Sequence, residues 1–139
     1  MIAYIDSSVV LARILKQEIA LDQAIAYPTA CASEFLEIEC ARVLQRYRLL
    51  NQLDDFSLLK AKQALDCILE SISIIPCGKA VKIRAASAFP TIIGTLDAIH
   101  LSSALLMKDH FNEQIFLFSH DRQLNVCAAA CGLAVPLFE

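Results

Sequence analysis

With 139 residues, 57% of them hydrophobic, the chain has the size of one domain and enough apolar content for one continuous core. A net charge of −3 argues against a broad nucleic-acid surface, but less so if acids hold cations: two divalent ions carry four charges and turn −3 into +1. The opening MIAYIDSSVV lacks a basic stretch ahead of its apolar run, and no run approaches the about 18 apolar residues of a membrane span; a single cytoplasmic domain over 1–139 is expected.

Ile2 to Ile5 is a short apolar run that suits a buried parallel strand. Asp6, Ser7 and Ser8 follow it with helix-capping side chains, so the first strand-to-helix junction falls at Asp6. A helix through Leu15 is expected, then another from Glu18 to Ala26, broken at Tyr27-Pro28. Thr29 to Ala32 reads as a second strand, Ser33 as the cap of a helix to Leu49, and Asp54 or Asp55 as the opening of a helix to Glu70. Ser73 to Pro76 reads as a third strand, Lys79 to Ala88 as a helix, and Gly94-Thr95 as the start of another through Met107. Ile115 to Phe118 is an apolar strand, Asp121 to Cys131 a helix closed by Gly132, and Leu133 to Leu137 a last short strand. This alternation predicts an α/β fold: a three-layer α/β/α sandwich around a mostly parallel sheet of four to five strands.

The six cysteines fall mostly inside apolar segments, so free, buried thiols are expected rather than disulfides. Cys127 and Cys131 share a four-residue spacing, but no nearby Cys or His pair completes a zinc set.

In open parallel sheets, ligands bind outside the carboxyl ends of the strands. Asp6 ends the first strand and Asp121 lies two residues past Ser119, so both carboxylates belong to that edge. Asp97 opens a helix that can lean over it, and so does the helix carrying Glu34, Glu37 and Glu39. Carboxylates gathered there would repel one another unless cations lay between them, and oxygen-rich clusters suit Mg²⁺ or Mn²⁺. Against this stands a plainer role: Asp is a favoured N-cap, so Asp6, Asp97 and Asp121 could each only complement a helix dipole. Helical periodicity does not separate Glu39 from Glu37, since both flank the apolar face of Leu36, Cys40, Val43 and Leu44.

Four segments together resemble the PIN-domain family, and within it the VapC-type toxin ribonucleases: YIDSSVVL, CASEFLEIECARVL, GTLDAIHLSSAL and LFSHDRQLNVCAAACGLAV. The resemblance aligns Glu39 with the family's second acid and Arg42 with the Arg that follows it. It maps Asp97 and Asp121 onto the later acids and Ser119 onto the final hydroxyl; His120, between Ser119 and Asp121, departs from the pattern.

What the resemblance implies is a PIN-like fold and metal-dependent hydrolysis of RNA by the toxin of a toxin–antitoxin pair. Asp6, Asp97 and Asp121 would hold Mg²⁺ or Mn²⁺, and Glu39 would complete the shell or orient water. Ser7 and Ser119 would support them by hydrogen bonds, and Arg42 would support them or touch substrate. The implied partners are an RNA substrate, a cognate antitoxin and a second copy of the chain. A non-catalytic RNA- or protein-binding module of the same fold is the alternative. His100, one turn after Asp97, is read first as a hydrogen-bonded packing residue and second as a ligand or base. Arg46, Lys79, Lys82 and Arg84 offer phosphate contacts or, by default, a solvated face.

Overall fold

The computed structural model describes residues 1–138, so Glu139, the last residue of the expected 1–139 domain, lies outside the described residues. The elements run β1 (Ile2–Ile5), α1 (Ser7–Lys16), α2 (Ala20–Ile25), β2 (Thr29–Ser33), α3 (Leu36–Leu49) and α4 (Asp55–Glu70). They continue with β3 (Ser73–Ile75), α5 (Lys79–Ala85), α6 (Thr95–Phe111), β4 (Ile115–Phe118) and α7 (Arg122–Ala130).

Strand β1 shows why the sheet is covered on both faces. Its side chains alternate, and every one of them is apolar and buried. Ala3 and Ile5 pack with Val9, Val10, Leu36, Leu44 and Leu65, which come from α1, α3 and α4. Ile2 and Tyr4 pack on the other face with Leu101, Leu105, Leu124 and Ala128, from α6 and α7. Leu36, Leu44, Leu101 and Leu117 are fully buried. Truncating any of them to Ala removes about 2–5 kcal/mol through lost burial and the cavity left behind.

The four strands lie in the order β3-β2-β1-β4 and all pairs are parallel. The chain therefore steps outward from β1 to β2 to β3 and returns to pair β4 with the opposite side of β1. That reversal opens a crevice between the carboxyl ends of β1 and β4, the place where an open parallel sheet binds ligands. Ile5 stands opposite Phe118 in the register, and the Asp6 amide donates to the Phe118 carbonyl at 3.0 Å, closing the ladder at that edge.

Three details differ from the sequence expectation. The last strand shrinks to one parallel bridge between Phe116 and Ala134, because Pro136 has no amide to extend the ladder. Ser33 does not cap α3; it ends β2, its hydroxyl accepts from the Phe35 amide, and the helix begins at Leu36. Cys67 is exposed, whereas Cys31, Cys40 and Cys127 are buried and all six thiols are free. Burial pushes the Cys31 and Cys40 thiols up to about 12, which keeps them neutral packing groups. Among the described residues no helix is long and apolar enough to cross a membrane.

Candidate active site

At the β1–α1 junction, Asp6 occupies the N-cap position of α1 yet makes no side-chain cap. It is buried, with 4% of its surface exposed. Its Oδ2 accepts hydrogen bonds from Ser8 Oγ at 2.6 Å and from Ser119 Oγ at 2.8 Å. Both hydroxyls are themselves oriented by the backbone: Ser8 Oγ accepts from the His120 amide and Ser119 Oγ from the Asp121 amide, each at 2.9 Å. With their acceptor side engaged, the two O–H groups point at the carboxylate and fix its orientation. The three serine and aspartate side chains thus tie β1 to the loop after β4, across the crevice.

Glu39 reaches this edge from the first turn of α3. Its Oε2 accepts from Ser7 Oγ at 3.3 Å, and its Oε1 is hydrogen-bonded to His100 Nε2 on α6. Glu37, on the same helix, is exposed. Asp6, Glu39 and His100 each offer one ligand atom within 4.8 Å of the others. His100 is completely buried and hydrogen-bonded, as its first reading from the sequence expects, and the partner it bonds is Glu39. The only signal was its place one turn after Asp97.

Asp97 lies half-buried in the first turn of α6. Burial, then the charges of Asp121 and Asp6, push its carboxyl up to about 6. Asp97 therefore lies in the field of both Asp121 and Asp6, although neither Asp97 nor Asp121 belongs to the tight donor set. Asp121 does take the plainer role open to all three aspartates: its Oδ1 accepts from the Leu124 amide at 3.1 Å and caps α7. The crevice gathers acidic groups in a partly desolvated setting, and the imidazole of His100 lies against them. Burial alone would depress that imidazole, but the hydrogen bond and charge of Glu39, with Asp6 and Asp97, outweigh it and raise the pKa. A buried carboxylate crowded by partly buried ones in this way fits a divalent cation with oxygen ligands.

The remaining sequence candidates separate by position. Ser7 serves Glu39, and Ser119 serves Asp6. Ser8, expected only as a capping residue, is a second hydroxyl on Asp6. Arg42 is exposed and has no carboxylate within 4.0 Å among the described residues, so it does not pair with Glu39. His120 turns outward to Glu18 at 3.2 Å, contributing only its backbone amide to the site. Arg84 stands 4.0 Å from Asp109, on the outer side of α6.

Beside the crevice lies an apolar hollow of about 630 Å³, lined by Phe35, Lys82, Phe89, Ile93 and Ile99 among others. It adjoins the starts of α3 and α6, next to the helices that carry Glu39 and Asp97.

The PIN domain family model matches residues 3–128. Two solved structures are similar over most of their length. VapBC2 from Rickettsia felis, bound to a DNA fragment from their promoter, matches at 14% identity and a TM-score of 0.66, covering 91% of this chain and 93% of that one. PAE2754 from Pyrobaculum aerophilum matches at 14% identity and a TM-score of 0.60, covering 89% and 82%. At that identity the likeness is one of fold. No curated protein sequence matches the chain.

Proposed function

The chain belongs to the PIN-domain family, and from that premise we propose that it is a divalent-metal-dependent endoribonuclease, the toxin of a toxin–antitoxin pair. The carrying observation is Asp6. It is a carboxylate buried at the reversal of the sheet, excused from capping its own helix, and surrounded by Glu39 and Asp97. A buried carboxylate held in one orientation there by two oriented hydroxyls has a use as a cation ligand and none as a packing group.

In this reading Asp6, Asp97 and Asp121 hold Mg²⁺ or Mn²⁺, and Glu39 completes the shell or orients the attacking water. The bound cation supplies a water of lowered pKa and offsets the charge that builds on phosphorus during in-line displacement. Ser8 and Ser119 fix Asp6 in one orientation, Ser7 steadies Glu39, and Asp121 contributes the carboxylate oxygen that does not cap α7. The exposed Arg42 meets a substrate phosphate. No side chain acts as a nucleophile.

The partners proposed are an RNA strand, an antitoxin and a second copy of the chain, in the cytoplasm. The fold likeness to VapBC2 supports an antitoxin partner. Apolar side chains left exposed on α3 and α4, among them Ile38, Leu49, Phe56 and Leu59, support a protein surface covering that side.

The test is cleavage of total cellular RNA by purified protein with Mn²⁺ or Mg²⁺ and with chelator. Metal-dependent cutting, lost in Asp6→Asn, is expected. Calorimetric titration that detects no Mn²⁺ binding would instead favour the non-catalytic binding module.

A further inference from the structure

Glu39 is held by a partner, His100, that lies in one of the segments carrying the PIN resemblance but to which the resemblance assigned no role. His100 and Tyr4 are both completely buried. Tyr4 Oη lies 3.4 Å from His100 Nδ1, and the two rings meet edge to face with centroids 6.2 Å apart. The opposite ring nitrogen, Nε2, is hydrogen-bonded to Glu39 Oε1. These three side chains come from β1, α6 and α3, so the chain of contacts ties the central strand to both helical layers.

The proton positions follow from chemistry. Glu39 as a carboxylate is an acceptor only, so the Nε2 facing it must carry a hydrogen. In a neutral imidazole Nδ1 is then the acceptor, and the Tyr4 hydroxyl donates to it. In an imidazolium Nδ1 donates to the Tyr4 oxygen instead. In both forms Nε2–H points at Glu39, and its lone pair is not open to a cation.

We propose that Tyr4 and His100 are positioning residues: together they fix Glu39 Oε1, while Ser7 engages Oε2, so that the carboxylate is presented to the Asp6 crevice in one orientation. The proposal rests on the metal-dependent reading of that crevice. It assigns His100 to the support of a ligand and not to the cation itself. It also explains why Glu39, and not the exposed Glu37, is the acid of α3 that the site uses. A His supported by a carboxylate is a familiar arrangement beside metals; here the roles are exchanged, with a tyrosine-backed His steadying the carboxylate.

The experiment has two arms. In metal-free protein, nitrogen-resolved NMR of the imidazole is expected to find the His100 proton on Nε2, slow to exchange, and exchanging fast in Glu39→Ala. An imidazole protonated on Nδ1 alone overturns the assignment. In the second arm, Mn²⁺ affinity and RNA cleavage are measured for Tyr4→Phe, His100→Gln and His100→Ala, with thermal melts as a folding control. His100→Ala should weaken Mn²⁺ binding and lower kcat by about 10–100-fold with KM for RNA unchanged. His100→Gln, whose amide reaches as far as Nε2 and still donates, should recover most of both, and Tyr4→Phe should fall between.

Wild-type affinity and kcat in His100→Ala would overturn the proposal. Equal losses in His100→Gln and His100→Ala would also overturn it, by making His100 a direct ligand. If His100→Ala does not fold, unchanged affinity and kcat in Tyr4→Phe overturn it. If the wild-type protein binds no Mn²⁺, the nuclease reading falls, while the NMR arm still decides the Tyr4–His100–Glu39 contacts.

Discussion

The junctions β1–α1 and β4–α7 are built from the same parts and used differently. Each strand leads into an Asp at the N-cap of the next helix, Asp6 directly after β1 and Asp121 after Ser119 and His120, both with extended backbone: Asp6 at φ −88°, ψ 154° and Asp121 at φ −78°, ψ 113°. Asp121 caps its helix through Leu124, whereas Asp6 leaves its helix uncapped and takes hydroxyl bonds from Ser8 and Ser119. The difference arises from what stands nearby. Ser8 and Ser119 lie where they can bind Asp6 and be oriented by the amides of His120 and Asp121, so the hydroxyls outcompete the helix amides for Asp6. A favoured capping residue that does not cap has been diverted, and the diversion marks the functional end of the sheet.

The strongest way to break this contrast is to remove the charge of Asp6. Asp6→Asn keeps the shape and a hydrogen-bonding oxygen but removes a ligand charge. Since losing a supporting partner alone costs about 10–100-fold, cleavage by Asp6→Asn should fall by at least about 100-fold. Its melting temperature should hold, because a crowded charge is relieved. Activity within a few-fold of wild type in a gel-based cleavage assay would return Asp6 to the status of a structural residue.

A smaller effect is expected on α3. Glu39→Gln should reduce cleavage by about 10–100-fold, while Glu37→Gln, exposed and outside the crevice, should leave it unchanged. Equal effects of the two would mean that the helix, not its orientation toward His100, matters.

That pair of variants also measures what the sequence made legible. The strand ends were readable because an apolar run followed by Asp and Ser can be located without knowing the sheet order. The sheet itself followed from strands alternating with helices. The choice between Glu37 and Glu39 was not readable from periodicity, because both flank the apolar face; the resemblance chose Glu39, and in the fold only Glu39 meets His100. His100 itself was obscured because α6 is buried on nearly all sides, from Ala98 through Leu105 apart from Ile99, so a polar residue there carries no phase information. Ser8 reads as a cap because nothing local says that it meets a loop more than a hundred residues away. The fifth strand failed at Pro136, where one bridge at Ala134 is all the backbone can supply.

Proton linkage offers a third comparison, between the metal-free and metal-bound crevice. Asp97 is raised from its ordinary 3.8 to about 6, so between those values the folded chain holds a proton that the unfolded chain has released. Stability of the metal-free protein must therefore fall as pH rises through that window. His100 acts with the same sign. Its folded pKa is raised above 6.5, so its contribution is whole below that value and is lost as pH rises through the folded pKa. Asp97 alone should contribute about 1 kcal/mol after solvent screening of a half-buried group is discounted. Urea titrations at pH 4.5 and 8 without metal should register the loss, and Mn²⁺ should restore stability at pH 8 and not at pH 4.5. Metal-free stability that rises with pH across this range would mean that the carboxylates are not crowded.

The smallest effect bears most directly on the two junctions. If Asp121 is a cap as well as a crevice acid, its two duties separate by substitution. Asp121→Asn keeps a capping oxygen and should change stability by only a few tenths of a kcal/mol, whereas Asp121→Ala should cost about 1 kcal/mol. Asp6→Ala supplies the reference, because no side-chain cap is lost there: the Asp6 carboxylate bonds no α1 amide to begin with, and removal of the buried charge relieves Asp97. Chemical denaturation of the metal-free variants at pH 7 should therefore rank Asp121→Ala below Asp121→Asn, with Asp6→Ala losing no cap energy. Cleavage should rank differently, since Asp6 is bound to both serines and Asp121 has one oxygen committed to Leu124. Asp6→Ala should be the more damaging to catalysis, and Asp121→Ala the more damaging to the helix. If the two substitutions prove interchangeable in both measurements, the junctions share one role, and the uncapped start of α1 has no functional meaning.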